Sequence, residues 1–196
     1  MDTYRAAIID ADFAIKVGKT EIINVIGDLL PQFCQKLYVH RHVFDNEILF
    51  PAQIKRRLTS LVEDGLAEVV DRASVELNGG LLAVDVYDAT VELLRNADVA
   101  TKQNGKNWGE VVSLALAKAL DIPIFFSDEA GAQLMIDTYL NLKEKQEDGN
   151  NIRVVRIEDF VIWMRDNGLS RKQGRVLWSA AGKPSARFEH IWPKAQ

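Results

Sequence analysis

The sequence predicts an α/β fold with a central, mostly parallel sheet covered by helices on both faces, and three observations predict it. Short apolar runs such as Ala6-Ala7-Ile8-Ile9 and Ile124-Phe125-Phe126 have strand length and no polar alternation, as strands buried on both faces do. Between such runs, apolar residues recur at i, i+3, i+4 and i+7, the stripe of a helix lying on a sheet. The two patterns alternate along the chain, which is the order that βα units produce. At 196 residues and 47% apolar, the chain has material for one ordinary core plus an appendage, but not for two comfortable domains.

Taken in order, residues 6–9 form the first strand, closed by Asp10. Thr20 is placed to cap a helix with Ile22, Val25, Ile26, Leu29 and Leu30 on one face, and Pro31 marks its end. Leu37-Tyr38-Val39-His40 reads as the second strand and residues 42–49 as a short helix. Pro51 suits the first turn of a helix over Ala52–Glu63, with Gly65 closing it. Glu68-Val69-Val70 suggests a strand and residues 85–94 a helix, punctuated by Asn78-Gly79-Gly80 and by the polar run 101–107. Val112, Ala115, Leu116, Ala119 and Leu120 form a clean helical stripe, and Asp121-Ile122-Pro123 ends it before the strand 124–126. After Ser127-Asp128 a helix carries Ala132, Met135, Ile136, Tyr139 and Leu140 on one face. Residues 143–151 read as an exposed connection, 152–157 as a strand and 158–167 as a helix. Gly168 is the C-cap of that helix, and Ser170 with Gln173 forms a capping box for a last one. This divides the chain into a main domain, residues 1–148, and a short, basic strand-helix extension, residues 149–196, packed on or next to it.

Composition excludes several classes. Cys34 is the single cysteine, so an intrachain disulfide and a multi-thiolate zinc site are both excluded, and its apolar neighbourhood predicts a small buried hydrophobe. The first residues have no basic stretch followed by a long apolar run, which predicts no secretory signal. No uncharged apolar stretch approaches the roughly 20 residues a membrane helix needs, so no membrane association and a cytoplasmic setting are expected. The net charge of −4 argues against coating nucleic acid by bulk positive charge. Its sign is nevertheless uneven: residues 149–196 hold nine Lys/Arg against four Asp/Glu, and the rest of the chain is acidic. An acidic body suits a site that collects cations, and a basic extension suits phosphates; a solvated charged face explains the extension equally well.

Ligands of open α/β sheets bind at the carboxyl ends of the strands. Asp10 and Asp128 stand at two such ends, Glu110 lies in the first turn of its helix and Glu47 on the short helix after the second strand, so all four can face one rim. Clustered carboxylates repel and raise one another's pKa, which a cation relieves; an all-oxygen site suits Mg²⁺ or Mn²⁺. Each acid also has an ordinary reading. Asp10 and Asp128 can cap helices, Glu110 meets a helix dipole favourably, and Glu47 can be a solvated helix residue.

Three segments, AAIIDADFAIK, VFDNEIL and GEVVSLALAKALDIPIFFSDEAGA, together resemble the PIN domain. The resemblance runs over roughly residues 5–140 and implies a PIN-like three-layer α/β/α fold and a metal-dependent ribonuclease that hydrolyses RNA phosphodiester bonds. It carries Asp10, Glu47, Glu110 and Asp128 onto the family's catalytic acids. Asp10, Glu110 and Asp128 become metal ligands, Ser127 the small hydroxyl residue beside the last acid, and Asp12 and Glu129 close supporting alternatives. No His is an obvious general base, so activation of water falls to Mg²⁺ or Mn²⁺. His40 and His42 are expected to be structural or RNA-facing. Arg171, Lys172 and Arg175, following the Ser170 cap, are the expected RNA-backbone contacts. Besides RNA, an antitoxin-like protein and a second copy of the chain remain open as partners.

Two rivals come from other classes. Asp10-Ala11-Asp12 after an apolar strand resembles the opening of haloacid dehalogenase-like phosphatases, with Asp10 as nucleophile and Asp12 as acid/base, although Ala14 stands where that family has Thr or Val. A catalytically weak RNA-binding or regulatory module with the same fold is the other, with Trp163, Trp178, Trp192 and Phe188 as stacking surfaces beside the basic extension.

Overall fold

Strand burial sets the architecture. In β1 (Tyr4–Ile9), Ala7 and Ile9 join one core while Ala6 and Ile8 join another, because successive side chains leave opposite faces of a strand. A strand buried on both faces requires a helical layer on each. The computed structural model, which describes residues 3–100, 107–141 and 151–194, contains both layers.

In chain order, β1 leads to α1 (Ala11–Gly18), a wide π-type turn (Val25–Leu29), α2 (Leu30–Phe33) and β2 (Cys34–His40). A second wide turn (Val43–Glu47), α3 (Ala52–Glu63) and β3 (Ala67–Val70) follow, then α4 (Arg72–Ala100), α5 (Trp108–Ala119), β4 (Ile124–Phe126) and α6 (Ala132–Tyr139). β5 (Arg153–Val155), α7 (Ile157–Asp166), α8 (Arg171–Ala180) and α9 (Ser185–Ile191) complete the order. The five strands form one sheet in the order β3-β2-β1-β4-β5, every pair parallel.

One face packs α1, α2, α3 and α7–α9 through Phe13, Phe33, Leu58, Phe160 and Trp178; the other packs α4–α6 through Tyr87, Leu114, Leu116 and Ile136. β1 lies between β2 and β4, so the strand order reverses there and a crevice opens at the carboxyl ends of β1 and β4. Among the described residues no helix is long and apolar enough to cross a membrane.

Several elements depart from the sequence expectation for identifiable reasons. Thr20 caps no helix: its hydroxyl donates to the carbonyls of Val17 and Ile23, at 3.2 and 2.5 Å, and holds a loop closed. Asn24 caps instead, accepting from the Gly27 N–H at 3.1 Å, and Pro31 falls in the first turn of α2, where its missing N–H is harmless. The Asn78-Gly79-Gly80 turn proves to be a break inside α4, with Gly80 at φ 75° and ψ −176°. The polar run expected at 101–107 falls outside the described residues except Asn107, and the connection expected at 143–151 falls outside them except Asn151. β5, which the sequence assigns to the extension, is the edge strand of the sheet itself, pairing Val154 with Phe125.

The extension is therefore continuous with the main core. Its capping box forms as expected, Ser170 Oγ accepting from the Gln173 N–H and Gln173 Oε1 from the Ser170 N–H. α9 was not expected, and it closes over α8: the Trp178 indole donates to the Pro184 carbonyl at 2.9 Å, and a Cβ on Gly174 would overlap the Trp192 ring. Gly174→Ala should accordingly destabilise the protein by about 1–3 kcal/mol in urea unfolding, the range of an overpacked core, despite alanine's better helix propensity. An unchanged midpoint would show that Trp192 is free to move aside.

Candidate active site

Asp10 stands where the sheet reverses. Its backbone N–H donates to the Phe126 carbonyl at 3.0 Å, which ties the ends of β1 and β4 together. It precedes α1 in extended conformation, and its side chain makes no N-capping bond. The residue is only 6% exposed. Burial pushes the carboxyl up to about 7; the Ala11 backbone N–H works against this, and the charges of Glu47, Asp12 and Glu129 add to it.

Glu47 ends the wide turn after β2, with His42 Nε2 3.4 Å from its Oε1. Its carboxylate packs directly on Gly109 at the start of α5, where a Cβ would overlap both carboxylate oxygens. Glycine at 109 is thus what lets Glu47 close on α5. Glu110 is the next residue, buried in the first turn of α5, and Ser113, one turn further along, is fully buried, its hydroxyl without a hydrogen-bond partner among the described residues.

On the β4 side, the buried Ser127 hydroxyl accepts from the Glu129 N–H at 3.3 Å, shaping the turn that presents Glu129. Glu129 and Glu110 line the same cavity of about 490 Å³. The structure thus brings Asp10, Asp12, Glu47 and Glu129 into one electrostatic field, with Glu110 on the cavity that Glu129 also lines.

Asp128 has a different environment. Its side chain is 1% exposed, and its Oδ2 lies 2.7 Å from both Lys16 Nζ on α1 and Lys183 Nζ after α8. Burial opposes its ionisation, but the two ammonium groups outweigh burial and hold the carboxyl below its usual value. Asp128 does not cap α6, whose N-cap is Gly131. Lys16 also meets Asp12 at 2.6 Å. Lys16 was legible as an i, i+4 partner of Asp12; Lys183, 55 residues after Asp128, carried no local signal.

The expected RNA contacts divide similarly. Arg171 and Arg175 both bind Glu189 on α9 and lie over the Phe188 ring, and Arg171 also donates to the Trp192 carbonyl at 2.8 Å. These two arginines fasten α9 to α8; Arg171 is partly buried, while Lys172 and Arg175 are exposed. The acidic partner of the two arginines lies on α9, a helix the sequence did not reveal.

His40 is structural in its contacts. It is 6% exposed, its Nδ1 accepts the His42 N–H at 3.1 Å and its Nε2 lies 2.9 Å from the Tyr87 hydroxyl. With Nδ1 accepting, a neutral ring donates from Nε2 to Tyr87. Burial, reinforced by His42, lowers its pKa to about 4. Above pH 6.5 both folded and unfolded chains hold this ring neutral. As pH falls, the unfolded chain protonates first, so stability is lost down through pH 4, by about 3 kcal/mol in all. His40→Asn, which does not titrate, should therefore be most destabilised relative to wild type at pH 7 and regain ground by pH 4 in urea unfolding; a constant difference would refute the neutral buried ring.

The donor set at the crevice consists of carboxylates, which fits a hard divalent cation and not a soft one. Among the described residues, no three His, Cys, Asp or Glu side chains converge closely enough to hold an ion as they stand. No family model matches the chain, nor does any curated protein or solved structure.

Proposed function

We propose that this chain is a PIN-like ribonuclease, hydrolysing RNA phosphodiester bonds with Mg²⁺ or Mn²⁺ held by carboxylates at the carboxyl edge of the sheet. The observation that carries this reading is the place of Asp10, a carboxyl only 6% exposed where the strand order reverses, in the electrostatic field of Glu47, Asp12 and Glu129. A carboxylate whose charge is disfavoured by burial and by like neighbours gains most from a cation, and such groups concentrate at functional sites. Asp10 is the central ligand in this proposal, with Glu47, Glu110 and Glu129 around it. A divalent ion held by these carboxylates would lower the pKa of water and offset charge on the scissile phosphate. The chain's own part is to aim the donors: Ser127 shapes the Glu129 turn and Gly109 admits Glu47. Asp128, neutralised by Lys16 and Lys183, lies behind them as a support.

RNA is the partner, and the setting is the cytoplasm, where the buried Cys34, its thiol pushed up to about 12 by burial, stays reduced. The deciding experiment is cleavage of labelled single-stranded RNA with Mg²⁺ or Mn²⁺ against an EDTA blank. Cleavage only with metal is expected. The metal should also raise the melting temperature, stabilising the fold by about 2.7 kcal/mol at one hundred times its dissociation constant. RNA bound but left intact in Mn²⁺ would turn the reading to a weak RNA-binding module, and phosphate trapped covalently on Asp10 to a phosphatase.

A further inference from the structure

We propose, resting on the ribonuclease reading above, that the acidic crevice holds a single divalent ion, because the Lys16 ammonium fills the place between Asp12 and Asp128 that a second ion would need. Lys16 Nζ lies 2.6 Å from Asp12 Oδ2 and 2.7 Å from Asp128 Oδ2, so one cation bridges two carboxylates. Asp12 also acts on the Asp10 charge, which puts this bridge at the edge of the site and not on a remote surface. Asp128, expected from sequence to be a metal ligand, is thus already supplied with a cation by the chain itself.

The surroundings of Asp128 set the count. Two ions about 4 Å apart act as a clamp only where carboxylates can reach both of them. Asp128 Oδ2 is shared by Lys16 and Lys183, and its Oδ1 is buried without a hydrogen-bond partner among the described residues. A side chain only 1% exposed is out of reach of a hydrated ion, and Mg²⁺ gives up its waters reluctantly. An ammonium carries its own hydrogen-bond donors and compensates the same charge without a coordination shell. Asp12 is engaged at the other end of the bridge, through the i, i+4 spacing that α1 provides. Of the acids in the Asp10 field, Glu47 and Glu129 remain beside Asp10 itself. One Mg²⁺ or Mn²⁺ that keeps several waters needs no more carboxylates than these.

The test counts bound Mn²⁺ by electron paramagnetic resonance titration of the metal-free protein, a readout independent of turnover, with cleavage of labelled RNA run alongside. Wild type should take up one Mn²⁺ per chain. Lys16→Met releases Asp12 and one side of Asp128 and should take up two, a twofold rise in bound metal. Lys183 still meets Asp128 in this variant, and circular dichroism in EDTA checks that it is folded. Lys16→Gln, uncharged but still a hydrogen-bond donor, should also bind two and serves if Lys16→Met does not fold. Lys16→Arg keeps the positive charge and should stay at one. Two ions in wild type, or one ion in wild type and in the uncharged variants alike, would overturn the inference. RNA cleaved by a wild-type chain that holds two ions would leave the nuclease standing and remove only the single-ion site. One ion in wild type and two in Lys16→Met, without cleavage, would keep the ion count and remove the ribonuclease reading. A wild-type chain that binds no Mn²⁺ would remove both.

Discussion

Asp10→Asn should cut metal-dependent RNA hydrolysis by orders of magnitude and, without metal, make the protein more stable at pH 8. Asparagine keeps the size and one oxygen acceptor but lacks the charge a hard cation requires. Activation of water and charge stabilisation would therefore be lost together. The stability gain follows from linkage. Asp10 has its folded pKa raised from 3.8 to about 7. Its contribution favours folding below pH 3.8, where both states are protonated, and is lost as pH rises through 7, in total by about 4 kcal/mol. The variant should thus exceed wild type by most of that amount in urea at pH 8 in EDTA, and the two should converge near pH 4. Between pH 4 and 6.5 the Asp10 and His40 contributions have opposite slopes, so the wild-type profile is flattened and Asp10→Asn uncovers the acid sensitivity of His40. A folded Asp10→Asn protein that cleaves at full rate would end the proposed mechanism. A variant less stable than wild type at pH 8 would show instead that the Asp10 charge is paid for by an unseen partner.

The second large effect is expected at Asp128. Replacing both of its partners, Lys16→Met with Lys183→Met, leaves a carboxylate of 1% side-chain exposure without a counter-charge. Removing the partners of a buried ion destabilises by about 3–5 kcal/mol, because the remaining charge is desolvated and uncompensated. Either single replacement should cost much less, since the other lysine still meets Oδ2, so the double variant should be strongly non-additive. The depressed pKa of Asp128 sets the pH window. This carboxylate stabilises the fold above its unfolded pKa and ceases to do so as pH falls through its folded value. The gap between wild type and the double variant should therefore be widest at pH 7 and narrow as pH falls below the ordinary carboxylate range. Adding Asp128→Asn to the double variant should recover much of the loss. Urea unfolding at pH 7 and pH 3 reads all of these; additive single effects, or no rescue, would mean that Asp128 is solvated and the lysines serve only at the surface.

The same residue shows where reading from sequence stops. Ser127-Asp128 was legible as the end of a strand because Ile124-Phe125-Phe126 is apolar throughout and a helical stripe follows. Which way the carboxylate turns depends on Lys183, brought in by three helices of the extension, and no local pattern encodes that approach. Glu129 was legible only as an alternative to its neighbour, since adjacent residues in a turn differ by orientation, and the Ser127 hydroxyl decides it by accepting the Glu129 N–H. Glu47 and α5 lie far apart in sequence; Gly109, which lets the Glu47 carboxylate close on that helix, is visible as a glycine but not as a contact.

Local chemistry alone determined the alternation of strands and helices, the parallel sheet buried on both faces, the capping box at Ser170 and the position of Asp10 at a strand end, because periodicity and caps act within a few residues. Tertiary structure alone decided the order β3-β2-β1-β4-β5, the place of β5 in the sheet, the commitment of Arg171 and Arg175 to Glu189, and the cavity that Glu110 shares with Glu129. Those depend on which surfaces meet, and burial and charge compensation between distant segments settle that only when the whole chain is folded.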